Sequence, residues 1–204
     1  MVGLVLLAGL ALSCGSLNVG EVQPLDLCQC TPLEPDIADY RHAEKHVPIP
    51  PNPPMVPSET TVGTIYTWVQ TDPLSFDAQR TGKELQVFHI AAAFLQEVSV
   101  NGLDCDIHLE ISDTPDKKAP RIIVETPVDS GFCSARKNIQ TQLAQHGFTL
   151  SAEHGGEILP QGLPADVVGM GFQDFDHKDV GLSRGSAQVT TNWELHPAIV
   201  KLTP

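Results

Sequence analysis

The stretch from Cys105 to Ile111 constrains the fold more than any other part of the chain. Ile107, Leu109 and Ile111 alternate with Asp106, His108 and Glu110. A period of two places three apolar side chains on one face of a β-strand and three polar ones on the other. A turn rich in Asp, Pro and Lys follows, and Arg121 to Thr126 (RIIVET) reads as the hairpin partner.

The flanking segments extend this hairpin into a mainly β domain. Glu84 to Val98 (ELQVFHIAAAFLQEV) is apolar enough for a helix or a long, curved strand. Its Val87-Phe88 start and the Asn101-Gly102 turn beyond it favour the strand. A helix is expected from Ser134 to His146, with Ser134 as its cap, Ile139 and Leu143 on one face, and Gly147 ending it. Residues 149–164 are rich in Gly and Pro and read as a connection. Asp166 to Phe175 and Asn192 to Leu202 are then the last two strands. Three strands, a helix and two strands is the order of the five-stranded OB barrel, in which one α-helix lies between strands three and four and strand five runs beside strand three. Gly169-Met170-Gly171 inside a strand marks a bend or a close barrel contact, and Pro197 marks an edge or a bulge, which is one way to aim His196.

Before this domain, residues 1–13 read as a signal peptide. The apolar run from Val2 to Leu12 is shorter than the roughly 20 residues a membrane span needs. Ala11-Leu12-Ser13 offers small residues where a signal peptidase reads, and the same cut leaves Cys14 first, as lipidation would require. Both outcomes stay open. Residues 14–60 read as a Pro-rich tail or spacer, with polyproline character around Pro48 to Pro57. The alternative is an irregular segment laid over the domain, which spans residues 61–204. His42 and His46 are spaced i, i+4, but a short stretch beside a Pro-rich run reads first as a solvated turn of helix. Beyond Cys14 the cysteines are Cys28, Cys30, Cys105 and Cys133. An even number in an exported chain favours disulfides. The two ends of the hairpin meet, so Cys105–Cys133 is a reasonable pair; the alternative is that each bonds to Cys28 or Cys30.

The barrel order sets strands two, three and five side by side. Their outward faces would carry Asp106, His108 and Glu110, then Glu125, then Glu194 and His196. Imidazole and carboxylate together suit a divalent metal ion, and a carboxylate fixes the tautomer of a neighbouring His. Asp106, His108, Glu194 and His196 are the candidate catalytic residues. Asp106, His108, Glu125, His177, Glu194 and His196 are the candidate metal ligands, His177 reaching over from the loop before the last strand. The competing reading is a polar barrel surface with ordinary ion pairs. No Gly-rich phosphate loop, G-x-S-x-G elbow or protease-like Cys pairing is present. The net charge of −13 disfavours a broad grip on nucleic acid or anionic lipid. Contact with a membrane would come only through a lipid on Cys14.

The ordered motifs D-x-D-x-H-L (Asp104 to Leu109), E-T-P (Glu125 to Pro127), Cys133, G-F-x-D-x-x-H (Gly171 to His177) and E-L-H-P (Glu194 to Pro197) resemble those of an uncharacterised group of bacterial exported proteins, over roughly residues 85–200. That resemblance implies one domain and carries no catalytic role. The D-x-D and E-x-P spacing is also similar to the staphylococcal-nuclease branch of OB folds, which uses carboxylates for calcium and arginines for phosphate; here Arg121 is the only arginine in the hairpin. The expectation is therefore an exported envelope protein, and a metal-assisted hydrolase of phosphodiester-like substrates. A non-catalytic OB module that binds a glycan, peptide or metal, or a structural lipoprotein, is the alternative.

Overall fold

The computed structural model describes residues 26–32, 40–51, 55–71, 74–150, 157–175 and 186–204. A short helix α1 (His42–Lys45) is followed by β1 (Ser58–Glu59), α2 (Val62–Tyr66) and a 3-10 turn at Gly82–Leu85. The long strand β2 (Val87–Val100) then leads to β3 (Ile107–Ser112) and β4 (Ile122–Thr126). Next come α3 (Cys133–Gln145), β5 (Glu157–Gln173) and β6 (Trp193–Leu202).

The sheet runs β1-β2-β3-β4-β6-β5, and β5 pairs back onto β2. Five strands, β2 to β6, thus close into an OB-like barrel, with β4 and β6 parallel and the other neighbours antiparallel. Closure needs β2 to bend. It shifts register between Ile90 and Ala93 and again between Leu95 and Glu97, and bulges of this kind curve a strand so that both its edges stay paired. The expected alternation holds in the hairpin: Ile107, Leu109, Ile111, Ile122 and Val124 are all fully buried in the barrel core. Ile139 and Leu143 of α3 join that core. Gly147 has φ +83° and ends the helix, where left-handed backbone favours glycine. Ser134, expected as the cap, sits inside the first turn, because the helix already begins at Cys133.

The strand expected at Asp166 begins at Glu157. Pro160, Gly162 and Pro164 lie within it, opposite the bent part of β2. A Cβ on Gly162 would lie 2.8 Å from Gln96 Nε2 and 3.1 Å from Phe94 Cβ, so this glycine serves close approach rather than a turn. Gly169 meets the expectation of a close barrel contact, since a Cβ there would lie 2.7 Å from that of Ala198. The β5–β6 pairing shifts register between Gly169 and Gly171, where Ala198 and Leu195 are their partners. β6 therefore carries one extra residue around Pro197, the bulge expected there.

The described parts of the segment before the barrel lie against it. Leu27 is fully buried in the barrel core, and Tyr40, Arg41 and Lys45 are all at least 98% buried. Arg41 forms a two-pronged pair with Glu84, at 2.7 and 3.0 Å, and Lys45 pairs with Asp174 at 2.8 Å. The disulfides are Cys28–Cys133 and Cys30–Cys105. The expected Cys105–Cys133 bond is not formed, and the pinned-tail alternative is. The reason lies in Leu27 and its neighbours, which occupy the place where the hairpin end and the start of α3 meet. Arg136 donates there to the carbonyls of Leu27, Thr126 and Cys105 at 2.7–2.9 Å. Each barrel cysteine consequently faces a tail cysteine.

Candidate functional site

The period of two in β3 and β6 and the pairing of β4 between them place the polar residues together. His108 is paired directly with Glu125 across β3 and β4. Val124 is paired with Leu195 across β4 and β6, which sets Glu125 beside Glu194 and His196. The expected neighbours are thus brought into one cluster. The Glu125 carboxylate holds both histidines: its Oε1 lies 2.8 Å from His108 Nδ1 and its Oε2 2.9 Å from His196 Nδ1. Glu194 Oε1 also approaches His196 Nδ1, at 3.2 Å. On the other side of the same ring, His196 Nε2 lies 3.2 Å from Asp106 Oδ2. The other oxygen of Asp106 accepts the Val128 backbone N–H at 2.8 Å.

This face was expected to be an outward, open one, and the structure corrects that. Asp106, Glu194 and His196 are each 1% exposed, Glu125 4% and His108 8%. The cover comes from α1 and the residue after it. His46 lies with its Nε2 3.8 Å from Asp106 Oδ2, and its Nδ1 is bonded to Asp129 at 2.6 Å. The His42 ring packs on His46 with centroids 4.0 Å apart. Sequence reasoning passed over His46, whose i, i+4 pairing with His42 was its one signal, and had no sign of Asp129.

The site rests on a buried cationic layer. Arg41, Lys45 and Arg80 surround the Phe172 ring at 4.9, 5.8 and 5.2 Å, favourable cation–π distances, and His196 packs on the same ring at 6.0 Å. Arg80 donates to the carbonyls of Glu44, Glu84, Gly171 and His196. It thereby ties α1, the 3-10 turn, β5 and the bulged part of β6 together. Burial pushes its pKa down to about 10.

Burial disfavours the charged form of His196. The carboxylates of Asp106, Glu125 and Glu194 outweigh that and hold its pKa well above the ordinary histidine value. Burial likewise opposes ionisation of Glu125, but its contacts with His108 and His196 hold it well below the usual carboxylate range. The cluster is therefore a buried network of paired histidines and carboxylates rather than a set of loose ion pairs on an exposed surface.

Glu110, on the same face of β3, takes no part. It pairs with Arg121 at 2.8 Å and accepts from the backbone N–H and hydroxyl of Ser186, holding the loop before β6. His177 and Cys14 lie outside the described residues. Two groups of three side chains have donor atoms within 4.8 Å of one another, close enough to hold a metal ion: His46 with Asp106 and His196, and Glu125 with Glu194 and His196. An ion held in either place would be a Lewis acid beside buried carboxylates that can accept a proton. No protein-family model, no curated protein and no solved structure matches the chain.

Proposed function

We propose that this is an exported protein of the bacterial cell envelope that binds a divalent metal ion in the His/carboxylate cluster and uses it in hydrolysis, with phosphodiester-like substrates as the class to test. One observation carries the reading: histidines and carboxylates from the approach to β3, from β4, from β6 and from the segment before the barrel form two adjoining groups that share His196, under the chain's own cover. Buried charges are costly unless paired or bound to metal. A bound ion would polarise a phosphoryl oxygen and lower the pKa of water. Asp106, Glu194, His108 and His196 would hold the ion or move the proton. The two disulfides fit an extracellular or periplasmic location. Export would follow from residues 1–13, and a lipid on Cys14 would give the membrane contact; mass spectrometry of the mature N-terminus decides between lipidation and simple cleavage.

The test is metal analysis of the purified, disulfide-bonded protein, followed by hydrolysis of a chromogenic phosphodiester before and after chelation. Expected are bound metal and an activity that chelator abolishes and metal restores. Absence of bound metal, with no rise in melting temperature on adding zinc, manganese or calcium, overturns the reading. The burial of the cluster favours a second reading, a non-catalytic binding module or structural lipoprotein. Tight metal binding with no hydrolysis of any phosphodiester would select it.

A further inference from the structure

The cluster offers two places for an ion, and the hydrogen bonds separate them. The group of Glu125, Glu194 and His196 uses His196 Nδ1, which already faces both carboxylates, at 2.9 and 3.2 Å. Contacts of that kind orient the ring and hold a proton on Nδ1, so an arriving ion would displace the proton of the other ring nitrogen. The other nitrogen is His196 Nε2, which is buried and faces Asp106 Oδ2 at 3.2 Å without the geometry of a hydrogen bond to any described residue. Asp106 Oδ2 and His46 Nε2 are buried as well and also make no hydrogen bond to a described residue, and the three atoms lie within 4.8 Å of one another. His46 repeats the arrangement of His196, since its Nδ1 is bonded to the Asp129 carboxylate at 2.6 Å.

The spacing fits a small cation. Ligands about 2.0–2.1 Å from a tetrahedral ion lie about 3.3 Å apart, and the separations here are 3.2 Å for Asp106–His196 and 3.8 Å for Asp106–His46. Two imidazoles and one carboxylate suit a zinc-class transition ion, whereas calcium takes six to eight oxygens. Three protein ligands leave one position open for water or substrate.

We infer that His46 Nε2, His196 Nε2 and Asp106 Oδ2 form a three-ligand site for a zinc-class divalent ion, with Asp129 and Glu125 as the carboxylates that orient the two histidines. This rests on the proposed metal function and makes it specific. One ligand comes from the segment before the barrel, so the ion would clamp that segment onto β6 and the approach to β3. His108, expected from sequence as a ligand, becomes a neighbour that holds Glu125.

Zinc titration of the full disulfide-bonded chain by calorimetry, with cobalt(II) absorption as the coordination readout, tests the assignment. Wild type should bind one zinc. His46→Ala, His196→Ala and Asp106→Asn should each weaken it by about 100-fold or more, and Asp129→Asn by about 10-fold, the range for loss of an orienting carboxylate. Binding by His89→Gln, at a ring held by Glu59 and Asp166 outside the cluster, should stay within about threefold of wild type. His46→Gln, which keeps most of the side-chain bulk, guards against loss of folding, and circular dichroism checks each variant. Cobalt(II) should show the intense visible absorption of a four- or five-coordinate ion in wild type and lose it in His46→Gln. If wild type binds zinc and both His46 variants bind it equally well, the ligand set is overturned while the metal function stands. If wild type binds no metal, both fall. Displacement of zinc by equimolar calcium overturns the class of ion.

Discussion

Arg136 is fully buried, yet among the described residues it forms no short pair with a carboxylate; its guanidinium donates to three backbone carbonyls, those of Leu27, Thr126 and Cys105. Those groups belong to the segment before the barrel, the end of β4 and the approach to β3, so one side chain joins three pieces of chain. Replacing it by Met fills the space but takes one donor from each of three buried carbonyls, at about 1–3 kcal/mol for each that is left unsatisfied. Arg136→Met should therefore lower the unfolding free energy by about 3 kcal/mol or more, read from urea melts. A loss below about 1 kcal/mol would mean that the carbonyls find water instead. At this scale the sequence was legible where chemistry follows from alternation. Asp106, His108, Glu125, Glu194 and His196 share a face because strands have a period of two. His46 and Asp129 were not legible in the same way. Their roles depend on where a Pro-rich segment docks, which no local pattern records.

The strand β1 pairs with β2 through only two residues, Ser58 and Glu59. Its hold is reinforced by His89, whose two ring nitrogens lie 2.7 Å from Glu59 and 2.8 Å from Asp166 of β5. The contacts with Asp166 and Glu59 raise the His89 pKa above 6.5, outweighing its partial burial. A raised folded-state pKa means that this support is fully present below the unfolded value and is lost as pH rises through the folded one. The melting temperature of wild type relative to His89→Gln should therefore be highest in acid and should converge as pH rises past neutrality. A difference independent of pH from 5 to 8 would remove the charge from the explanation. Among elements, β3, β4 and β6 could be read directly, since alternation and turn residues bound them. The start of β5 could not, because Pro160, Gly162 and Pro164 look like loop. They are tolerated because β5 runs antiparallel along the bent part of β2, where Gly162 admits Gln96 and Phe94. Helix α3 was legible from Ile139, Leu143 and Gly147.

Across the whole molecule, two cystines join residues 105 and 75 positions apart. Each closes a long loop in the unfolded chain, and such bonds typically contribute about 2–4 kcal/mol. Replacing Cys28 and Cys133 together by Ser should lower stability by about that amount in denaturant melts, with the barrel's circular dichroism retained; no change would show that the packed segment holds without its staple. The barrel as a whole followed from the order of strands and helix, whereas the cystine pattern did not, because it depends on Leu27 entering the core. That pattern bears on how the molecule is made. In a chain that crosses a membrane from its N-terminus, Cys28 and Cys30 reach the oxidising side first and must wait for partners that arrive much later. Pairing in order of arrival would join Cys28 to Cys30 and Cys105 to Cys133, a wrong isomer. If the chain is exported as proposed, its maturation would call for a thiol-exchange catalyst that can undo early bonds, and cells lacking one should accumulate the mispaired form.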